Sequence, residues 1–153
     1  TQETEKLVAA MKITLEERLP SAEVTPQQLK DRSWWTGPDI FLIVDNLDLV
    51  ADMAFAPLLS VLPHARDVGL HVVITRKSGG CVRALFQPFL AEIKDQSPFI
   101  IVLDADKDDG PLFGVRLKPQ PPGRGVMIHH GTQQGLIQIA AADMPEVAEA
   151  KAS

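Results

Sequence analysis

Three apolar runs organise this chain: Ile40-Phe41-Leu42-Ile43-Val44, Leu70-His71-Val72-Val73-Ile74 and Phe99-Ile100-Ile101-Val102-Leu103. Each is rich in β-branched side chains and shows almost no polar alternation, a pattern that predicts strands buried on both faces in a parallel sheet. Between the first two, residues 54–65 read as a helix with Leu58, Leu59, Val61 and Leu62 inward, despite Pro57 and Pro63. Between the second and third, residues 81–94 read as an amphipathic helix with Leu85, Phe89 and Ile93 on one stripe. Strand, helix, strand, helix, strand predicts a right-handed parallel α/β sheet.

The flanking segments follow the same logic. Leu7, Val8, Met11, Leu15 and Leu19 recur at helical spacing over residues 4–19, and Pro20 should stop that helix. Thr25, Pro26 and Gln28 predict a second, short helix with a capping box. It should end before Ser33-Trp34-Trp35-Thr36-Gly37-Pro38, whose tryptophans are expected to pack the loop against the sheet. After the third run come an acidic turn over 104–109, a loop or short helix over 110–114 and a loop rich in proline and glycine over 119–125. Val126-Met127-Ile128 and Leu136-Ile137-Gln138-Ile139 read as two short strands, antiparallel across 131–135. The Ala/Glu-rich tail from Pro145 reads as a loose helix.

Composition narrows the partners. The chain has 153 residues, 45% hydrophobic and 23% charged, which suits one soluble globular domain. A net charge of −5 argues against a nucleic-acid groove. A single cysteine, Cys81, excludes an internal disulfide. No apolar run approaches the roughly 20 residues of a membrane helix, and the first residues lack a signal-peptide pattern, so a cytoplasmic setting is expected. Thr1 is not a start methionine, which suggests a processed product or a piece of a longer chain.

The candidate chemistry lies where the first two runs end, at Asp45-Asn46 and Thr75-Arg76-Lys77. Open α/β sheets bind ligands at the carboxyl ends of their strands. If the two strands are neighbours, these ends converge on one site. An Asp in that place suits a carboxylate that holds the magnesium of ATP through water; a core strand followed by an Asp-Asn turn is the plainer reading of the same residues. Thr75 can orient water or sense a phosphate, or simply finish a strand. Arg76 and Lys77 suit a phosphate or a neighbouring subunit, or a solvated turn. Asp104, Asp106, Asp108 and Asp109 lack the central glycine and closing glutamate of an EF-hand and read as a solvated turn. His129-His130 has no further ligand at metal spacing, His64 and His71 read as structural or surface residues, and no motif marks Cys81 as a nucleophile. No G-x-S-x-G occurs. Nor does the phosphate loop G-x-x-x-x-G-K-[ST], so this chain by itself is not expected to bind ATP in the usual way.

Taken together these landmarks resemble a known family, the FtsK/SpoIIIE-type ATPases, and within it the EccC-type ATPases of type VII (ESX) secretion. The resemblance is carried by Ser33-Trp34-Trp35-Thr36-Gly37-Pro38, FLIVDNLDLV from Phe41 and DVGLHVVITRKSGG from Asp67. RALFQPFL from Arg83, DDGPLFG from Asp108, PPGRG from Pro121 and LIQIA from Leu136 continue it over about residues 5–145. It implies an α/β, P-loop NTPase fold (RecA/FtsK-like), with a parallel sheet flanked by helices and the Walker A half lacking. Residues 1–153 would be the C-terminal portion of a single ATPase domain, the last of three in tandem.

The resemblance also implies roles. Asp45 corresponds to the Walker B aspartate that supports Mg2+ through water. Asn46 stands where active members carry a glutamate that activates water, and an amide cannot act as a general base. Thr75 falls at the sensor position, and Arg124 of the PPGRG segment is the further nucleotide-binding candidate. The segment Ser97 to Leu103, where motor domains carry arginines acting on a neighbour's nucleotide, is apolar after Pro98. ATP and Mg2+ are the implied cofactors of the intact domain, with little or no hydrolysis and none bound by this chain alone. The implied partners are secreted helical substrate dimers, recognised by a C-terminal signal, and other ATPase domains or subunits of the secretion complex. Nucleic acid is not expected, and the membrane only indirectly, through a cytoplasmic position at that complex. Apart from the resemblance, the four large apolar residues Leu85, Phe86, Phe89 and Leu90 on one short helix read as a groove for the signal, or as core. A DNA-translocating ATPase and an α/β interaction module without nucleotide chemistry are the alternatives.

Overall fold

In the computed structural model, residues 2–105 and 110–140 are described. Helix α1 (Gln2–Glu16) buries Val8 and Leu15, two of the positions its periodicity singled out. Helix α2 (Pro26–Asp31) starts with the predicted capping box. The Thr25 hydroxyl accepts the Gln28 N–H at 3.3 Å, and the Gln28 side-chain oxygen accepts the Thr25 N–H at 3.0 Å.

Strands β1 (Ile40–Val44) and β2 (Leu70–Ile74) pair in parallel, with Ile40 opposite Leu70 and Val44 opposite Ile74. The crossover between them is not the helix expected over 54–65. It runs as 3-10 turns at Asp52–Leu58 and Leu62–His64 and then the short helix α3 (Ala65–Val68). Pro57 and Pro63 each remove an amide donor and crowd the preceding turn, so only tight local turns form. The segment still does its packing work: Leu58, Val61 and Leu62 are buried. The helix expected over 81–94 likewise divides, into α4 (Cys81–Ala84) and α5 (Pro88–Asp95). Gln87, the residue before Pro88, is extended at φ −70 and ψ 140.

The third apolar run does not join β1 and β2. Strand β3 (Ile100–Val102) pairs antiparallel with β4 (Arg124–His129), which pairs antiparallel with β5 (Thr132–Gln138) across His130-Gly131. The parallel pair stands as expected, and the two C-terminal strands pair antiparallel as expected, but their turn is His130-Gly131 and residues 132–135, expected as the turn, belong to β5; the third strand belongs to a second sheet. Asp106, Asp108, Asp109 and the tail from Pro145 lie outside the described residues.

Two apolar clusters form the core. The larger joins Val8 and Leu15 of α1, Leu42 and Val44 of β1, Phe55, and Phe89 of α5, with the Phe55 and Phe89 rings stacked at 4.4 Å. The smaller gathers Val102, Leu112, Leu117, Val126 and Ile128, and Leu85 packs against both. Burial on both faces of the strands is not what the fold shows. Leu42 and Val44 are each 7% exposed, whereas Phe41 and Ile43 are 63% and 69% exposed. The described helices cover one face of β1 and β2. Ile101 of β3 and the flanking Phe99 and Leu103 are exposed as well.

The tryptophan turn ties the segment after α1 to α3, the helix that leads into β2, and its indole hydrogen bonds go there and not to the strands. Trp34 Nε1 donates to the Arg18 carbonyl at 2.7 Å, and Trp35 Nε1 donates to the Asp67 carbonyl at 2.8 Å. Arg18, 8% exposed, lies 4.3 Å over the Trp35 ring and donates to the Val68 carbonyl at 3.1 Å.

Candidate functional site

The parallel register places the ends of β1 and β2 side by side. Thr75 N–H donates to the Val44 carbonyl at 2.9 Å, which extends the ladder one step past the strands and sets Asp45 beside Thr75. The Thr75 hydroxyl donates to Asp45 Oδ1 at 2.6 Å and accepts the Asn46 N–H at 2.9 Å. Asp45 Oδ2 has no hydrogen-bond partner among the described residues, and the side chain is exposed. Two of the expected residues thus meet, at the carboxyl end of a parallel pair. A carboxylate with one oxygen oriented by a hydroxyl and the other open to water suits an outer ligand of a hydrated Mg2+.

Asn46 is adjacent but differently disposed. Its backbone is left-handed, φ 56 and ψ 68, and its Oδ1 is buried without a hydrogen-bond partner. The amide oxygen is turned into the protein, not presented to solvent beside Asp45.

A second layer of contacts ties the two strand ends together, and the sequence reading passed over it. Arg76 Nη2 donates to Asp48 Oδ1 at 2.8 Å, and the Lys77 N–H donates to Asp48 Oδ2 at 3.0 Å. Leu47 N–H donates to the Thr75 carbonyl at 2.9 Å. Arg76 is therefore an internal partner of Asp48, not the solvated turn residue one would assign it. The signal in the sequence was present: opposite charges at Asp48 and Arg76, a few residues past the ends of neighbouring strands.

Other expected site residues lie elsewhere. Arg124 opens β4 in the second sheet, where its Nε donates to Gln138 Oε1 at 3.4 Å; no described contact brings it to Asp45 or Thr75. Leu85, Phe86, Phe89 and Leu90 do not line one groove. Phe89 and Leu90 are core at 1% and 6% exposure, Leu85 is half-buried, and Phe86 alone points to solvent at 80%. Pro88 explains the split, because the helix that was to carry all four on one surface is broken there. His71 stacks on Phe41 at 4.6 Å and approaches Asp39 at 3.1 Å, while His129 stacks on Phe99 at 3.9 Å. Among the described residues no three His, Cys, Asp or Glu side chains group as a metal site. No described helix is long and apolar enough to cross a membrane.

The chain as a whole has counterparts among known proteins. The chain is 45% identical over 135 residues to the ESX-4 secretion system protein EccC4 of Mycobacterium tuberculosis, a match covering 86% of this chain and 11% of that protein. The chain superposes on the cytoplasmic domain of the Thermomonospora curvata type VII secretion ATPase EccC with a TM-score of 0.85 at 40% identity. That match covers 92% of this chain and 17% of the solved one. In sequence and fold this chain corresponds to a segment of the EccC ATPases of ESX secretion systems. A second Thermomonospora curvata EccC structure, of ATPases 2 and 3 in complex with a signal sequence peptide, matches at TM-score 0.84 and 42% identity. It covers 92% of this chain and 26% of that one. No family model matches the chain. The chain spans about a tenth of the length of EccC4 and of the Thermomonospora curvata EccC. The α/β fold with a parallel sheet expected of this family is the one observed.

Proposed function

We propose that this chain is the C-terminal portion of one ATPase domain of a type VII secretion EccC, working on the cytoplasmic side of the secretion complex. Joined to a Walker A half, the domain binds Mg-ATP with slow or no hydrolysis and recognises small helical secreted proteins by a C-terminal signal. The observation that carries the nucleotide part is the Asp45–Thr75 contact of 2.6 Å at the carboxyl ends of adjacent parallel strands. When bound, Mg2+ would neutralise phosphate charge and Asp45 would support its water shell. Thr75 holds the Asp45 carboxylate in orientation. Asn46 offers no base, because an amide does not accept a proton at neutral pH and its oxygen is buried. The peptide part is supported by the Thermomonospora curvata relative described as bound to a signal sequence peptide.

The test is nucleotide binding and turnover in a protein that carries this chain together with a Walker A half. Mg-ATP should bind with little turnover, and Asp45→Ala should weaken binding in the presence of Mg2+ by about tenfold or more. Asn46→Glu should raise turnover. Rapid wild-type hydrolysis would show that another group activates water. Absence of nucleotide binding in every variant would leave an interaction module without nucleotide chemistry.

A further inference from the structure

The geometry points to Asp48 as the residue that positions the Asp45–Thr75 pair, an inference that rests on the nucleotide reading of that pair for its functional consequence. The Thr75 hydroxyl is committed in two directions, to the Asn46 N–H and to Asp45 Oδ1. Its place is therefore set by how the chain leaves β2. That exit is held from across the site by one side chain. Asp48, on the turn after β1, takes the Arg76 guanidinium on one oxygen at 2.8 Å and the Lys77 N–H on the other at 3.0 Å. Among the described residues, Thr75 and Asp48 make the only side-chain hydrogen bonds between the turn after β1 and the loop after β2.

The pair is also drawn partly out of water. The Arg76 side chain is 15% exposed and that of Asp48 is 34% exposed, so the bond is less screened than a fully exposed pair. Arg76 is thereby held within the chain. Asp48 and Arg76 line a small cavity with Leu47, Val50, Asp52 and Gln87, next to the turn they hold. The consequence is a division of labour. Asp45 and Thr75 face the ligand, and Asp48 fixes the distance between them without touching it.

Two measurements test this. The first is amide hydrogen exchange in the wild-type chain and in Asp48→Asn, which preserves shape but loses the charge-assisted bond to Arg76. The Asn46 and Leu47 amides, both donating to Thr75, should exchange about tenfold faster, while amides of α1 and of the β1–β2 ladder stay unchanged. Arg76→Ala should reproduce the effect. The second is nucleotide binding in the protein carrying a Walker A half. There Asp48→Asn should raise the Mg2+ concentration needed for half-maximal binding several-fold and leave Mg2+-free nucleotide affinity unchanged. Unchanged exchange at Asn46 and Leu47 in both variants would overturn the proposal, and so would uniform acceleration across the fold. Local acceleration in a protein whose wild type binds no nucleotide would keep the positioning role and remove the nucleotide reading.

Discussion

Asn46 stands in the left-handed region, at φ 56 and ψ 68, a conformation that costs most L-residues about 1–2 kcal/mol and that asparagine tolerates. The residue type at this position thus answers to the backbone as well as to chemistry. Its buried Oδ1 is a liability, since an unpaired buried acceptor costs about 1–3 kcal/mol. Asn46→Gly should remove both burdens while keeping the N–H that Thr75 accepts. We expect it to raise the midpoint of thermal unfolding by a few degrees. Asn46→Glu should lower stability by about 1–3 kcal/mol, because it puts a longer, charged side chain on the same left-handed backbone. Denaturant melts of both variants check the two signs, and turnover assays on Asn46→Glu should be run well below its melting point.

At the scale of elements, the tryptophan turn and β2 meet at one glycine. Gly69 caps α3 with φ 72, and a Cβ there would lie 2.5 Å from Asp39 Oδ1 and 2.6 Å from the Trp35 ring. The Trp35 ring has little room to retreat, because it is held by the Asp67 carbonyl and by Arg18; Asp39, paired with His71, is exposed and can shift more easily. Gly69→Ala should cost about 3 kcal/mol or more, from backbone strain and overpacking together. Gly79→Ala, with nothing within 4 Å, should change stability by less than about 0.5 kcal/mol. Urea unfolding of the two variants separates these outcomes. The same elements show what a sequence discloses. β1, β2, the Thr25 capping box and the C-terminal hairpin were legible because each rests on local patterning or turn chemistry. The crossover was not, because helical periodicity at Leu58, Val61 and Leu62 persists even where Pro57 and Pro63 enforce 3-10 turns. Asp45 and Thr75 were legible as strand ends. Asp48 left only a weak trace, its charge opposite to that of Arg76, because the contact depends on a parallel register that periodicity does not specify.

At the scale of the molecule, the two sheets pose one question. The facing set Phe41, Ile43 and Val73 on the parallel pair is exposed, as are Ile101 of β3 and the flanking Phe99 and Leu103, although each run reads as a strand covered on both sides. Contiguous exposed apolar surface of this kind marks a contact face. In a protein of the relatives' length, we expect the outer face of β1 and β2 to be covered, with Asp45 and Thr75 at its rim. A single substitution distinguishes a covered face from a solvated one. In this chain Ile43 is 69% exposed, so Ile43→Lys should shift stability by less than about 0.5 kcal/mol, and sedimentation velocity should show less self-association for the variant than for the wild type. In the longer protein the same lysine would be buried without a partner and should cost about 3 kcal/mol or more, read as loss of the domain's cooperative unfolding transition. A neutral outcome in both contexts would mean that the outer face stays in water and that the apolar run of β1 serves only its inner face. The unalternated pattern of Phe41 to Val44 favours the first result, since a strand with one wet face has no physical need for isoleucine and phenylalanine on that side.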